Sequence, residues 1–153
     1  MFSGCAAAQG GPAGKLVYCS YSETGVAGLG KNYCELIADT DSEPKVVVVL
    51  DQDCRFADVR KAEYPVGPEL ADSLQAKLAA AEVYKLNGYS VDEPMTGGTV
   101  YRIYMEYDSG EKVNAHWYGH DIKPEAWDAF HLIRRFFDPW RSRTEEEMPQ
   151  ILR

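Results

Sequence analysis

Hydrophobic and polar positions change rhythm along this chain, and the changes mark its elements. Residues 1–14 are mostly small or polar, too poor in apolar mass to fold, and read as a flexible tail. "KLVYCSYS" is rich in β-formers and predicts a strand. "NYCELIAD" is taken as a second strand, although Tyr33, Leu36 and Ile37 also fit one face of a short helix. "TDSEP" signals a turn, and the unbroken apolar run in "KVVVVLDQD" predicts a third strand. "CRFADVRKAEYPVG" keeps neither rhythm and reads as an irregular connection with room for a short extended piece.

The period then lengthens. Pro68 suits a first helical turn, with Glu69 and Asp72 near the positive end of the dipole, and Leu70, Leu74, Leu78 and Ala81 form an apolar stripe. Asn87-Gly88 ends this helix at the latest. "TVYRIYMEYDSGEKVNAHWYG" is a hairpin, and a second helix starts near Pro124. Its stripe is Ala126, Ala129, Phe130, Ile133, Phe136 and Phe137, with Glu125, Asp128, Arg135 and Asp138 opposite, and Pro139 is expected to end it.

The hairpin register follows from its own chemistry. A three-residue loop Asp108-Ser109-Gly110, with Gly110 left-handed, sets Tyr107 opposite Glu111. Tyr101, Ile103 and Met105 then share a face with Val113, Ala115 and Trp117. The other face carries Arg102, Tyr104 and Glu106 against Lys112, Asn114 and His116, with Glu106 facing Lys112. A two-residue loop would mix polar and apolar residues on both faces.

The pattern therefore predicts an α+β fold: an antiparallel sheet with two helices packed on one face, in the order β-β-β-α-β-β-α. One domain spans 15–141, between the tail at 1–14 and a loosely held C-terminal tail at 142–153. At 153 residues, 45% apolar and 26% charged, the chain has the makings of one core. A net charge of -8 disfavours nucleic acid or anionic lipid as the main partner. No apolar run approaches the roughly 18 residues that cross a bilayer.

Three motifs invite a chemical reading. "GVAGLGKN" differs from the phosphate-cradling loop of nucleotide-binding proteins by Asn32, which stands where the magnesium-binding Ser/Thr belongs. The segment after it is too short for a crossover helix, so a glycine-rich connection between antiparallel strands is the better reading, with Lys31 and Asp51 the residues to watch. "HWYGHD" gathers His116, His120 and Asp121, but Arg102 opposite His116 disfavours a cation, and no third ligand is visible; no metal and no cofactor is expected. "FHLIRRFFDPW" has the spacing of a helix packed on a sheet, leaving Trp140 as the residue most expected to be exposed. The acidic pair Asp51 and Asp53 reads as strand-end solvation.

None of Cys5, Cys19, Cys34 and Cys54 falls in a CxxC spacing. "MFSGCAAAQGGPAG" resembles the end of a bacterial lipoprotein signal, with Cys5 as the lipidated residue and a tether after it. The charged and apolar parts of such a signal are missing from the sequence, so either it begins inside the signal or Cys5 is an ordinary tail residue.

"GGTVYRIYMEYDSGEKVNAHWYGHDIKPEAWDAFHLIRRFFDPW", with "AAAEVYKLNGY" before it, resembles the C-terminal half of small gut-bacterial proteins often taken to be exported or lipid-anchored, of no assigned activity. The resemblance implies an α+β domain and favours lipidation at Cys5; it carries over no catalytic residue. The expectation is a non-enzymatic binding or scaffolding domain of the cell envelope, lipid-anchored or periplasmic, with a cytoplasmic location as the alternative. Its membrane contact would come only through a lipid on Cys5. The face expected to bind a protein or glycan carries Arg102, Tyr104, Glu106, Asn114, His116 and Tyr118. The alternative is an enzyme, either a degenerate phosphate-loop nucleotide binder or a hydrolase using His116 or His120.

Overall fold

The four valines Val46–Val49 are all buried, because the strand that carries them lies inside a sheet. Val46 and Val48 enter the main core, while Val47 and Val49 lie on the opposite face at 1% and 8% exposure. In a computed structural model, which describes residues 11–25, 31–39, 41–51, 59–92, 98–118 and 122–147, seven strands form one mixed sheet. They are β1 (Leu16–Thr24), β2 (Lys31–Ile37), β3 (Lys45–Asp51), β4 (Val59–Pro65), β5 (Ser90–Val91), β6 (Val100–Tyr107) and β7 (Lys112–Tyr118). The helices are α1 (Glu69–Ala80) and α2 (Pro124–Glu147). The spatial order is β4-β3-β2-β1-β6-β7-β5. Every neighbouring pair is antiparallel except β5 with β7.

The class is α+β with two helices, but the strand count and order differ from those the pattern predicts. The supposed connection before Pro68 contains β4, a full edge strand paired with β3 from Asp51↔Val59 to Lys45↔Pro65. A short parallel strand, β5, sits beside β7. "NYCELIAD" is resolved as strand β2, paired on both sides.

One face of the sheet meets both helices. Cys19, Tyr21, Leu36, Val48, Ile103 and Trp117 share a core with Leu74 and Leu78 of α1 and Phe130, Ile133 and Phe137 of α2. α1 buries Ala71, Leu74 and Leu78, so the stripe is rotated from the expected one: Leu70 is half-buried and Ala81 exposed. Glu82, left-handed at φ 53, ends the helix before Asn87-Gly88, and a 3-10 turn over Val83–Leu86 follows. Gln75 ties α1 to the sheet, accepting from the Leu16 N–H at 2.9 Å and donating to the Gly14 carbonyl at 2.8 Å. Ala13 donates to Glu111 at 3.2 Å. Ala13 and Gly14, expected in the tail, are therefore bonded to the domain; Cys5 lies outside the described residues.

α2 buries Ala126, Ala129, Phe130, Ile133 and Phe137 of its expected stripe, with Phe136 only half-buried, and Pro139 does not end it. Proline leaves one carbonyl of the preceding turn without its donor, but the turns beyond it are anchored. The Thr144 hydroxyl donates to the Trp140 carbonyl at 2.8 Å, so the Tyr64 hydroxyl of β4, 2.8 Å away, is the donor to Thr144. Arg143 pairs with Glu147 at 3.1 Å. The boundary expected at 141/142 falls inside this helix. Trp140 is half-buried, 5.7 Å from the Phe136 ring, and packs on the core.

The hairpin takes the expected register, with Glu106↔Lys112 and Arg102↔His116. Its loop closes by the Gly110 N–H donating to the Tyr107 carbonyl at 2.9 Å, with Gly110 at φ 92. A Cβ on Gly110 would meet nothing within 4 Å, so replacement costs only the left-handed conformation. Gly110→Ala should lower stability by about 1 kcal/mol in urea unfolding.

Candidate functional site

Every second residue of the inner strands points to the face away from the helices, and no described helix lies on it. Cross-strand pairing arranges these residues in rows. Glu35, Ser20, Tyr104 and Asn114 form one row, and Tyr33, Ser22, Arg102 and His116 the next. β1 contributes the small side chains Ser20 and Ser22 between larger ones on either side. A trough results, with a volume of about 450 Å³. Its floor is Ser20 and Ser22; Lys31, Tyr33 and Glu35 of β2 line one wall, and Arg102, Tyr104 and Asn114 the other.

Hydrogen bonds hold the tyrosines. Tyr18 donates to Glu35, Tyr104 donates to Glu106, and the Tyr18 and Tyr104 rings meet edge-on at 5.9 Å. Lys31 Nζ stands 5.4 Å above the Tyr33 ring. Burial, then the bond to Glu35, pushes the Tyr18 hydroxyl well above the usual phenol range. Burial, then the Glu35 charge, raises Tyr33, while Tyr104 is raised first by its bond to Glu106. All three therefore stay neutral near physiological pH and act as hydroxyls with flat apolar faces.

Of the residues expected on this face, Arg102, Tyr104 and Asn114 line the trough. Glu106 sits beside it, holding Tyr104 and pairing with Lys112 at 4.0 Å. Tyr118 lies at the end of β7 opposite Val100. His116 turns toward the outer edge, where Nε2 is 3.1 Å from Ser90 Oγ and 3.5 Å from Asp92 Oδ1. The six residues from β1 and β2 that complete the site, Tyr18, Ser20, Ser22, Lys31, Tyr33 and Glu35, are missed by reasoning from the hairpin. Their signal is the alternation in "YCSYS", which puts Tyr18, Ser20 and Ser22 on one face.

Ser90, His116 and Asp92 are the residue types of a hydrolase triad. In such a triad the serine and the carboxylate engage different ring nitrogens, so that one orients the imidazole while the other gives up its proton. Here both approach Nε2. The phosphate-loop candidate also lacks its geometry. β1 and β2 pair antiparallel from Thr24↔Lys31, so a strand follows where a phosphate site needs a helix N-terminus. Asn32 instead accepts the Asp51 N–H at 3.2 Å, serving the sheet. Residues 26–30, Asp53, Cys54, His120 and Asp121 lie outside the described residues. Among the described residues, no group of three His, Cys, Asp or Glu is placed to hold a metal. Cys19 and Cys34 are buried free thiols, and burial pushes Cys34 up to about 11. No helix among the described residues is long and apolar enough to cross a membrane.

Compared with known proteins, the chain matches no protein-family model and no curated protein.

Proposed function

We propose that this protein is a non-enzymatic binding module and that the trough holds a glycan. The observation that carries the reading is the lining. Tyr18, Tyr33 and Tyr104 bring to the trough aromatic rings of the kind that stack on the C–H side of a sugar, and Glu35, Asn114, Arg102 and the two serines offer acceptors and donors for its hydroxyls. The trough crosses interior strands whose backbone groups are bonded to neighbours, so a peptide cannot add there as a strand. Residence in the cell envelope through a lipid on Cys5, and kinship with the exported gut-bacterial proteins, belong to the same proposal and rest on the sequence alone. The hydrolase reading draws on the Ser90–His116–Asp92 grouping, and the shared Nε2 weighs against it.

Screening the full chain against an oligosaccharide panel, followed by calorimetry, tests the reading. Tyr33→Ala and Arg102→Ala should each weaken the bound glycan about tenfold or more, with circular dichroism unchanged. Lys77→Ala, on α1, should leave affinity as it is. A panel with no binder tighter than about 1 mM, or affinity indifferent to both trough substitutions, overturns the proposal. Capture of a peptide or folded protein through the same two residues assigns the trough to a protein partner instead.

A further inference from the structure

Among the described residues the sheet ends on one side at β4, and ladder parity shows which of its backbone groups face outward. The Val66 N–H donates to the Pro44 carbonyl at 3.0 Å, next to the Lys45↔Pro65 pair. Antiparallel pairs alternate between those that exchange hydrogen bonds and those that do not. Pro44–Val66 is therefore a bonded pair, as are Val46–Tyr64 and Val48–Ala62. Ala62 and Tyr64 direct their backbone groups to β3, whereas Lys61 and Glu63 direct theirs away from the sheet. Pro65 takes an outward position, where its missing N–H costs the ladder nothing.

We propose that β4 pairs with β4 of a second copy of this chain, antiparallel and centred on Ala62, continuing the sheet across a twofold axis. Hydrogen bonding requires outward residues to face outward residues, so the axis passes through a residue of β4, and the centres that overlap most of the Val59–Pro65 strand are Lys61, Ala62 and Glu63. A centre at Lys61 sets lysine against lysine, and one at Glu63 sets glutamate against glutamate; like charges directly opposite are unfavourable. Centred on Ala62, each Lys61 meets a Glu63, and the two residues exchange both backbone bonds. Within one chain Glu63 lies 3.6 Å from Lys61 and 3.4 Å from Lys45, exposed pairs that exchange readily for partners across the axis; the Lys61 and Glu63 side chains are 60% and 48% exposed, so both are within reach of a second copy.

Charged residues and proline often guard an edge strand against pairing. Opposite signs two residues apart guard it selectively, rejecting two registers and matching themselves in the third. A lone strand pair falls short of the roughly 1,000 Å² of a stable interface, so the dimer is weak and concentration-dependent.

Sedimentation of the full chain from low-micromolar to near-millimolar concentration tests this. The mean mass should climb toward twice that of one chain. Lys61→Glu alone and Glu63→Lys alone should each weaken association by about tenfold or more, with circular dichroism unchanged. An equimolar mixture of the two variants should associate again, because every Lys–Glu pair is restored between unlike chains. A wild-type chain that stays monomeric, single variants that associate like wild type, or a mixture no more associated than its components would each overturn the proposal.

Discussion

Trp117→Ala should destabilise the domain by about 3–5 kcal/mol, read as a large drop in the urea midpoint. Trp117 is fully buried and is the largest such side chain in the core. Its ring lies 5.9 Å from Trp127, 6.1 Å from Phe130 and Tyr89, and 6.4 Å from Tyr101. Truncation leaves a cavity that those rings, fixed by α2 and by β6, cannot collapse to fill. The indole N–H has no hydrogen-bond partner among the described residues, so the loss comes from packing alone. His116 precedes it in the strand and faces the other way, with its side chain 31% exposed. His116→Ala should therefore cost only about half a kcal/mol. A larger loss at His116 than at Trp117 would mean that the contacts with Ser90 and Asp92 bear structural weight that the packing does not show.

Phe137→Ala should cost a similar amount, about 3–5 kcal/mol. Phe137 is fully buried, 5.7 Å from the Tyr21 ring and 5.0 Å from Phe136. It lies about two turns before Thr144, the anchor at the end of α2, so its loss should also free the turns beyond Pro139. Hydrogen exchange of the amides at 140–147 should speed up more than that of β6 and β7. Among the ring contacts of the described residues, Trp117 and Phe137 do not touch and are linked through Phe130 and Tyr21, so their effects should nearly add. Their sum approaches the whole stability of an ordinary domain, about 5–15 kcal/mol, and the double variant should be largely unfolded. Urea unfolding of the four proteins decides both expectations.

The elements legible in the sequence are those fixed by neighbours in the chain. The β6–β7 register could be read because one loop sets it, and Glu106 opposite Lys112 and Trp117 facing inward follow from counting. α2's stripe was equally plain. β4 was not, because "VRKAEYP" has the charges and terminal proline of an edge strand and buries only Tyr64 among its described side chains. Pro139 reads as a stop because the partner that sustains the helix beyond it, Tyr64 against Thr144, is distant in sequence. The trough was half legible for the same reason. Its β6–β7 wall is local, while its floor and other wall depend on β1 pairing with β6, which no local pattern announces.

That same pairing sets the order in which the molecule can be assembled. β1 to β4 form a meander of neighbouring hairpins, able to zip up as soon as they are made. β1, however, is the middle strand of the finished sheet, and its second partner arrives only after α1 has been synthesised. Until β6 docks, Leu16–Thr24 presents an open row of backbone groups, the kind of edge that recruits other chains. The seam that makes the sheet continuous is thus the strand pairing with the longest loop to close, the kind of contact expected to form slowly and to lengthen the interval of exposure to misassembly.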